Sequence, residues 1–212
     1  MLKRIPVATL ALFAWSLQAE VIDRIAVTVG RHVITQSQLD TEVRVTAFVE
    51  GQKVENPELA RKQAATRLIQ QTLIRREIEL TRSPVPSAAE AAPLLEQARA
   101  LHGGAFNKDL AEASLLASDL AEHLHWQLTF LRFVQYRFQP GINLGDDEVK
   151  GYYDAQLPRW AKEGKSAPPM ESIRKEIETV LTQRHVDEAL DRWLLEQQQQ
   201  TTIVYRIKGL TE

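Results

Sequence analysis

The last apolar run of the chain, "TTIVYRI" from Thr201 to Ile207, has the β-branched content and alternation of a strand. The segment before it reads as one long helix from Pro169 to about Gln199, so this strand has no sequence neighbour to pair with. A strand alone is not stable and needs an edge. The obvious edge lies at the other end of the chain. Val21, Ile25, Val27 and Val29 alternate with polar positions, Gly30 and Arg31 make a tight turn, and Val33 to Thr35 return as a short strand. The two ends are therefore expected to meet in one small antiparallel sheet, and the helices between them must fit inside that closure. The expected class is mainly α, in the α+β sense.

The signals for those helices are local. Thr35 and Gln38 have the spacing of a capping box, which starts a helix at Gln36, and Gly51 ends it after Glu50. Pro57 opens a second helix that meets no breaker before Ser83 and Pro84. Its Leu68, Ile69, Leu73, Ile74 and Ile78 fall on more than one side, the mark of a central helix touched by several neighbours. A third helix spans about Ser87 to Leu101 and closes at Gly103 and Gly104, with Pro93 leaving its start open by several residues. A short helix from about Lys108 to Ser114 precedes a long one from Ser118 to about Phe138. On the long one, Leu120, Leu124, Leu128 and Leu131 form a core-facing stripe, and Trp126, Phe130 and Phe133 form a second on another side. "GDDEVKGYYD" starts the next helix, with Asp146 and Asp147 as cap and first-turn acids. In the closing helix Ile173, Ile177, Val180 and Leu181 cluster opposite Val186, Leu190, Trp193 and Leu194, so that one helix must satisfy two partners.

A formal net charge of −2 and a pI near 6.2 argue against nucleic-acid binding, which needs a clustered basic surface. The first 19 residues have the layout of a secretory signal peptide: Lys3 and Arg4, an apolar run from Ile5 to Leu17, then Ala19 at a cut. The run is short for a membrane span, which needs about 20 apolar residues. The alternative is an amphipathic or anchoring helix. With no cysteine in the chain, disulfides, thiolate metal sites and lipid attachment through cysteine do not arise.

Catalytic chemistry has few candidates. The histidines stand at 32, 102, 123, 125 and 185, and His123 and His125, two apart on a helix, point to different sides. Packing or surface roles fit them better than metal ligation, and the acids at 146 to 148 fit a helix N-terminus better than a cation site. No nucleophile elbow, phosphate-cradling loop or zinc spacing occurs, and no cofactor is expected. The aromatics carry more information. Trp126, Phe130, Phe133, Tyr152, Tyr153 and Trp160 are candidates to line a groove for extended apolar segments, because aromatic faces offer contact area at low entropic cost. The competing reading places the Trp126 stripe in the core.

"DRIAVTVGRHVITQSQLD" after the leader, the helix with "RLIQQTLIRREIEL", the acidic "GDDEVKGYYD" and the closing "PPMESIRKEIETVLTQRHVDEALDRWLLEQQQQTTIVYRI" together resemble the SurA family of periplasmic chaperone-isomerases over nearly the whole mature chain. In that family parvulin-type prolyl isomerase domains sit between the tyrosine pair and the closing helix. Here only Asp154 to Ala167 occupies that place, too little to fold alone when even ~40 residues usually need staples. The parvulin histidine pattern is absent too. The resemblance thus implies a signal peptide at 1–19, a SurA N-like helical region at 20–153, a linker at 154–168 and a closing helix and strand at 169–212 that complete the same domain.

The function it implies is an ATP-independent periplasmic chaperone without isomerase activity, whose partners are unfolded clients, outer-membrane proteins among them, with no stable membrane insertion after signal cleavage. Two alternatives stay open. One is a divergent prolyl isomerase; the other is an exported structural or adaptor subunit that forms a homodimer by exchanging its two-faced closing helix.

Overall fold

The computed structural model describes residues 23–210. The expected signal peptide, and Val21 of the expected hairpin, lie outside the described residues. Strand β1 (Ile25–Val29) turns through Gly30 and Arg31 into β2 (His32–Thr35), and β3 (Ile203–Tyr205) pairs with the other edge of β1. The order is β2-β1-β3, antiparallel throughout, so the ends of the chain close on each other as the terminal strand requires. Gly30 sits at φ 57°, a left-handed turn position that costs glycine little. A register shift between Ile25 and Val27 brings both Ala26 and Val27 inside, leaving Ile25 exposed.

Helix α1 (Gln36–Glu50) starts at the Thr35 capping box and ends at left-handed Gly51, and α2 (Pro57–Thr81) starts under an Asn56 cap. Helix α3 (Ala88–His102) begins at a Ser87–Glu90 capping box, with Pro93 carried inside it, and short α4 is Phe106–Glu112. Helices α5 (Ala117–Arg137), α6 (Asp146–Lys162) and α7 (Met170–Gln200) follow. Two local expectations are corrected. Gly145, not Asp146, caps α6, so Asp146, Asp147 and Glu148 all lie in its first turn, where carboxylates meet unpaired N–H groups. Pro169 caps α7 from outside rather than standing in its first turn.

The stretch assigned as a linker is largely helix. Helix α6 runs through Pro158 to Lys162, leaving about seven residues, 163–169, as the joint, with Gly164 in the left-handed region. Proline removes one backbone donor but does not by itself end a helix whose flanks are packed. Here Tyr153 and Trp160 lie one on each side of Pro158, their ring centroids 5.6 Å apart, and Tyr153 Oη donates to Pro168 O at 2.8 Å.

Four buried clusters hold the chain. The sheet lays Ala26, Val27, Val29 and Ile34 on Leu39 of α1 and on Ala64, Ala65, Ile69 and Leu73 of α2. The opposite part of α2, with Ile74 and Ile78, meets Phe133 and Val134 of α5 and Val186, Leu190, Trp193 and Leu194 of α7. A third cluster joins Val45 to Phe106, Leu110, Leu115, Leu120 and Leu124. The smallest is Val149 of α6 with Ile177 and Leu181 of α7. Helix α2 is thus central, and α7 has the two partners its pattern demands. Each stripe has one exposed member: Leu131, at the end of its row, is 51% exposed, and Val180, between the buried Ile177 and Leu181, is 44% exposed.

Candidate functional site

The six candidate aromatics do not form one surface. Phe133 is fully buried, 5.6 Å from Trp193 and 5.8 Å from Phe138 between ring centroids, and is a core residue in this structure. Phe130 is half-buried on the margin of the same cluster, 6.5 Å from Trp126. Tyr152, Tyr153 and Trp160 lie instead on α6. Tyr152 and Tyr153 pack on the smallest cluster, and the Arg184 guanidinium stands over the Tyr152 ring at 5.5 Å. These three serve the α6–α7 hairpin. Trp126, in contrast, borders a cavity between elements.

That cavity, of about 430 Å³, lies between the outer edge of β2 and helices α1, α2 and α5. Three sequence facts build it. The two-residue turn at Gly30-Arg31 pairs β2 with one side of β1, and β3 takes the other side, so β2 is an edge strand; the Thr35 capping box turns the chain sharply into α1; and Trp126 stands on the α5 face directed at α2. The Arg75 guanidinium sits 4.9 Å from the Trp126 ring centre, a cation–π contact, and 3.9 Å from Glu122.

At the bottom of the groove is Glu42. Its carboxylate accepts from Arg67 Nε at 2.8 Å and from Thr46 Oγ1 at 3.2 Å, with His123 Nδ1 at 3.7 Å. Burial pushes this carboxyl up, but His123 and Arg67 outweigh it and hold the group below the ordinary carboxylate range. Glu42 therefore stays ionised and ties α1 to α2 and α5.

The β2 edge has its own chemistry. Gly30 N–H donates to Thr202 O and Arg206 N–H to Ala26 O, so even-numbered residues of β1 turn their backbone groups to β3 and odd-numbered ones to β2. The partners of Val27 and Val29 on β2 are Ile34 and His32. Val33, opposite Thr28, must then point both its N–H and its C=O away from the sheet, along the groove. The alternation of "HVIT" gave the strand, but that β2 rather than β1 would be an edge depends on where β3 docks, and Val33 was not singled out for that reason.

Of the other histidines, His32 is exposed on β2 at the groove, and the other three make contacts that hold the helices in place. His125 Nε2 meets Pro86 O at 2.9 Å, His102 stacks on Phe48 at 4.7 Å and meets Asp109 at 2.8 Å, and His185 meets Glu148 at 2.5 Å. Among the described residues no three His, Asp or Glu side chains converge as a metal site. Asp146 pairs with Arg174 across the α6–α7 hairpin. Among the described residues, too, no helix is long and apolar enough to cross a membrane. No protein-family model matches the chain, and no curated protein matches it.

Proposed function

We propose that this protein is an exported, ATP-independent chaperone that acts by binding non-native protein segments, outer-membrane proteins in transit among them, without a catalytic step. The observation that carries the reading is the groove, where a half-buried tryptophan faces an unpaired strand edge across mixed polar and apolar walls. Such a surface suits segments that are extended and only partly apolar, held by several weak contacts and released when folding buries them. The return of α7 and β3 to the N-terminal hairpin is also the chain order that the resemblance to the SurA family implies. In this reading the protein works in the periplasm, and the short turn between α6 and α7 stands where the family carries its isomerase.

The test is dilution of a urea-unfolded β-barrel outer-membrane protein into buffer with and without the chaperone. Light scattering is expected to fall substantially at equimolar, micromolar protein. Unchanged scattering together with no binding at that concentration would rule the function out. A proline-limited peptide assay run alongside is expected to show the uncatalysed rate; acceleration lost on changing a histidine would make the protein an isomerase instead.

A further inference from the structure

We infer that the groove takes its client as an added strand, and that the preferred segment is extended and basic; this rests on the chaperone reading and names what that site recognises. The first observation is geometric. Val33 offers one outward N–H and one outward C=O on the cavity wall, the pair that an extended backbone meets with two hydrogen bonds and a helical one does not. Its side chain is exposed, and among the described residues no strand pairs with that edge. Edge strands are usually blunted by shortness, a bulge, proline or charge; β2 is short, four residues, with a register shift in its pairing to β1, but it carries no proline and no lysine.

The second observation is charge. The lining holds four carboxylates, Glu42, Glu79, Asp119 and Glu122, against the guanidiniums of Arg75 and Arg76. Arg67 satisfies Glu42 from behind, and Arg75 lies beside Glu122. Glu79 and Asp119 have no cationic partner within ion-pair distance among the described residues, Asp119 accepting instead from the Leu116 N–H at 2.8 Å. Arg76 has no carboxylate partner there either, so the lining keeps a small acidic excess to which the Val33 carbonyl adds. A lysine or arginine on the strand bound at Val33 would meet this acidic side, and an acidic segment would be repelled by it.

The experiment uses three fluorescein-labelled ten-residue peptides with the full mature chain: alternating valine and lysine, alternating valine and glutamate, and the lysine peptide N-methylated at alternate residues. The lysine peptide is expected to bind at least about tenfold more tightly than the other two, since the methyl group both removes the N–H that would donate to the Val33 carbonyl and clashes with the strand edge, and this or an inverted charge each amounts to roughly that factor. Val33→Pro removes the outward donor without touching the β1–β2 ladder and is expected to weaken the lysine peptide by about tenfold with circular dichroism unchanged. Glu79→Gln, at an exposed position, is expected to weaken it by about threefold.

Equal affinity for the lysine and glutamate peptides, or for the methylated and unmethylated ones, would overturn the proposal. If Val33→Pro alters the fold, the N-methylated peptide still decides. Should wild-type protein suppress client aggregation while the peptides show no preference, strand addition fails and the chaperone reading stands; if wild-type protein suppresses nothing, the function itself has failed.

Discussion

The two halves of α7 live in different environments. Its C-terminal half puts Val186, Leu190, Trp193 and Leu194 into a cluster shared with α2 and α5, in a body that β3 locks at the sheet. Its N-terminal half puts Ile177 and Leu181 against Val149, with Leu144, Tyr152, Tyr153 and Ile173 only partly buried around them, in an arm formed with α6. Polar contacts also cross the arm, from Arg174 to Asp146, from His185 to Glu148, and from Tyr153 to the Pro168 carbonyl. Exposed ion pairs contribute about 0–1 kcal/mol each, whereas each buried large side chain contributes about 1.5–3 kcal/mol. One continuous helix therefore joins a cooperative body to an arm of lower local stability, and continuity of secondary structure does not make the two equally rigid.

The sharpest way to break the body is Phe133→Ala, expected to cost about 4 kcal/mol and to lower the urea midpoint of the whole transition. A change below 1 kcal/mol would mean that Phe133 is not the centre of the body. Leu181→Ala tests the arm: it is expected to cost about 3 kcal/mol locally, seen as faster amide exchange in α6 while exchange in β1 and α2 stays as it was. Uniform acceleration across the molecule would show that arm and body unfold as one unit. A smaller perturbation sharpens the role of the sheet. At Gly30 a Cβ would find only ordinary contact with Thr201, 3.6 Å away, so Gly30→Ala reports the left-handed backbone alone, about 1 kcal/mol by thermal denaturation.

The smallest effect concerns α3, which Arg132 of α5 ties to the body through Glu90 at 2.5 Å. The hydrogen bonds from Arg132 and from the Ser87 backbone depress the Glu90 carboxyl from 4.5 to about 2. A depressed carboxylate contributes stability that is present above its unfolded value and lost as pH falls through its folded one. Protection of α3 amides is thus expected to fall slightly between pH 4.5 and about 2, and this slope should shrink in Arg132→Ala, where the Ser87 cap remains; an unchanged slope would remove the Arg132–Glu90 pair from the account.

Much of this was readable because it was local. Thr35 with Gln38 and Gly51 satisfy helix-end groups within a few residues of themselves, Pro57 stands where a missing N–H costs nothing, and the observed boundaries fall where they predict; Ser87 with Glu90 carries the same kind of signal, passed over because Pro93 left that start open. The closure of β3 on β1 was readable for another reason: an unpaired strand has few places to go. What failed depended on distant neighbours. Phe133 and Trp126 share a stripe, yet α2 and α7 enclose the first and leave the second at a groove, and nothing within α5 records that difference. Pro158 misled in the same way, since the packing of Tyr153 with Trp160 across it belongs to the folded hairpin and not to the dipeptide. The groove was least legible of all, because its walls come from four separate elements.

The length of α7 gives the asymmetry a mechanical meaning. From Val186, where the body grips it, the helix extends back to Met170, about 24 Å at 1.5 Å per residue. A tilt of about 10° at that fulcrum sweeps the far end through roughly 4 Å. The helix is in effect a lever, converting small adjustments around Trp193 into displacements that a pair of distance labels, one at Gly164 and one on α2, could measure.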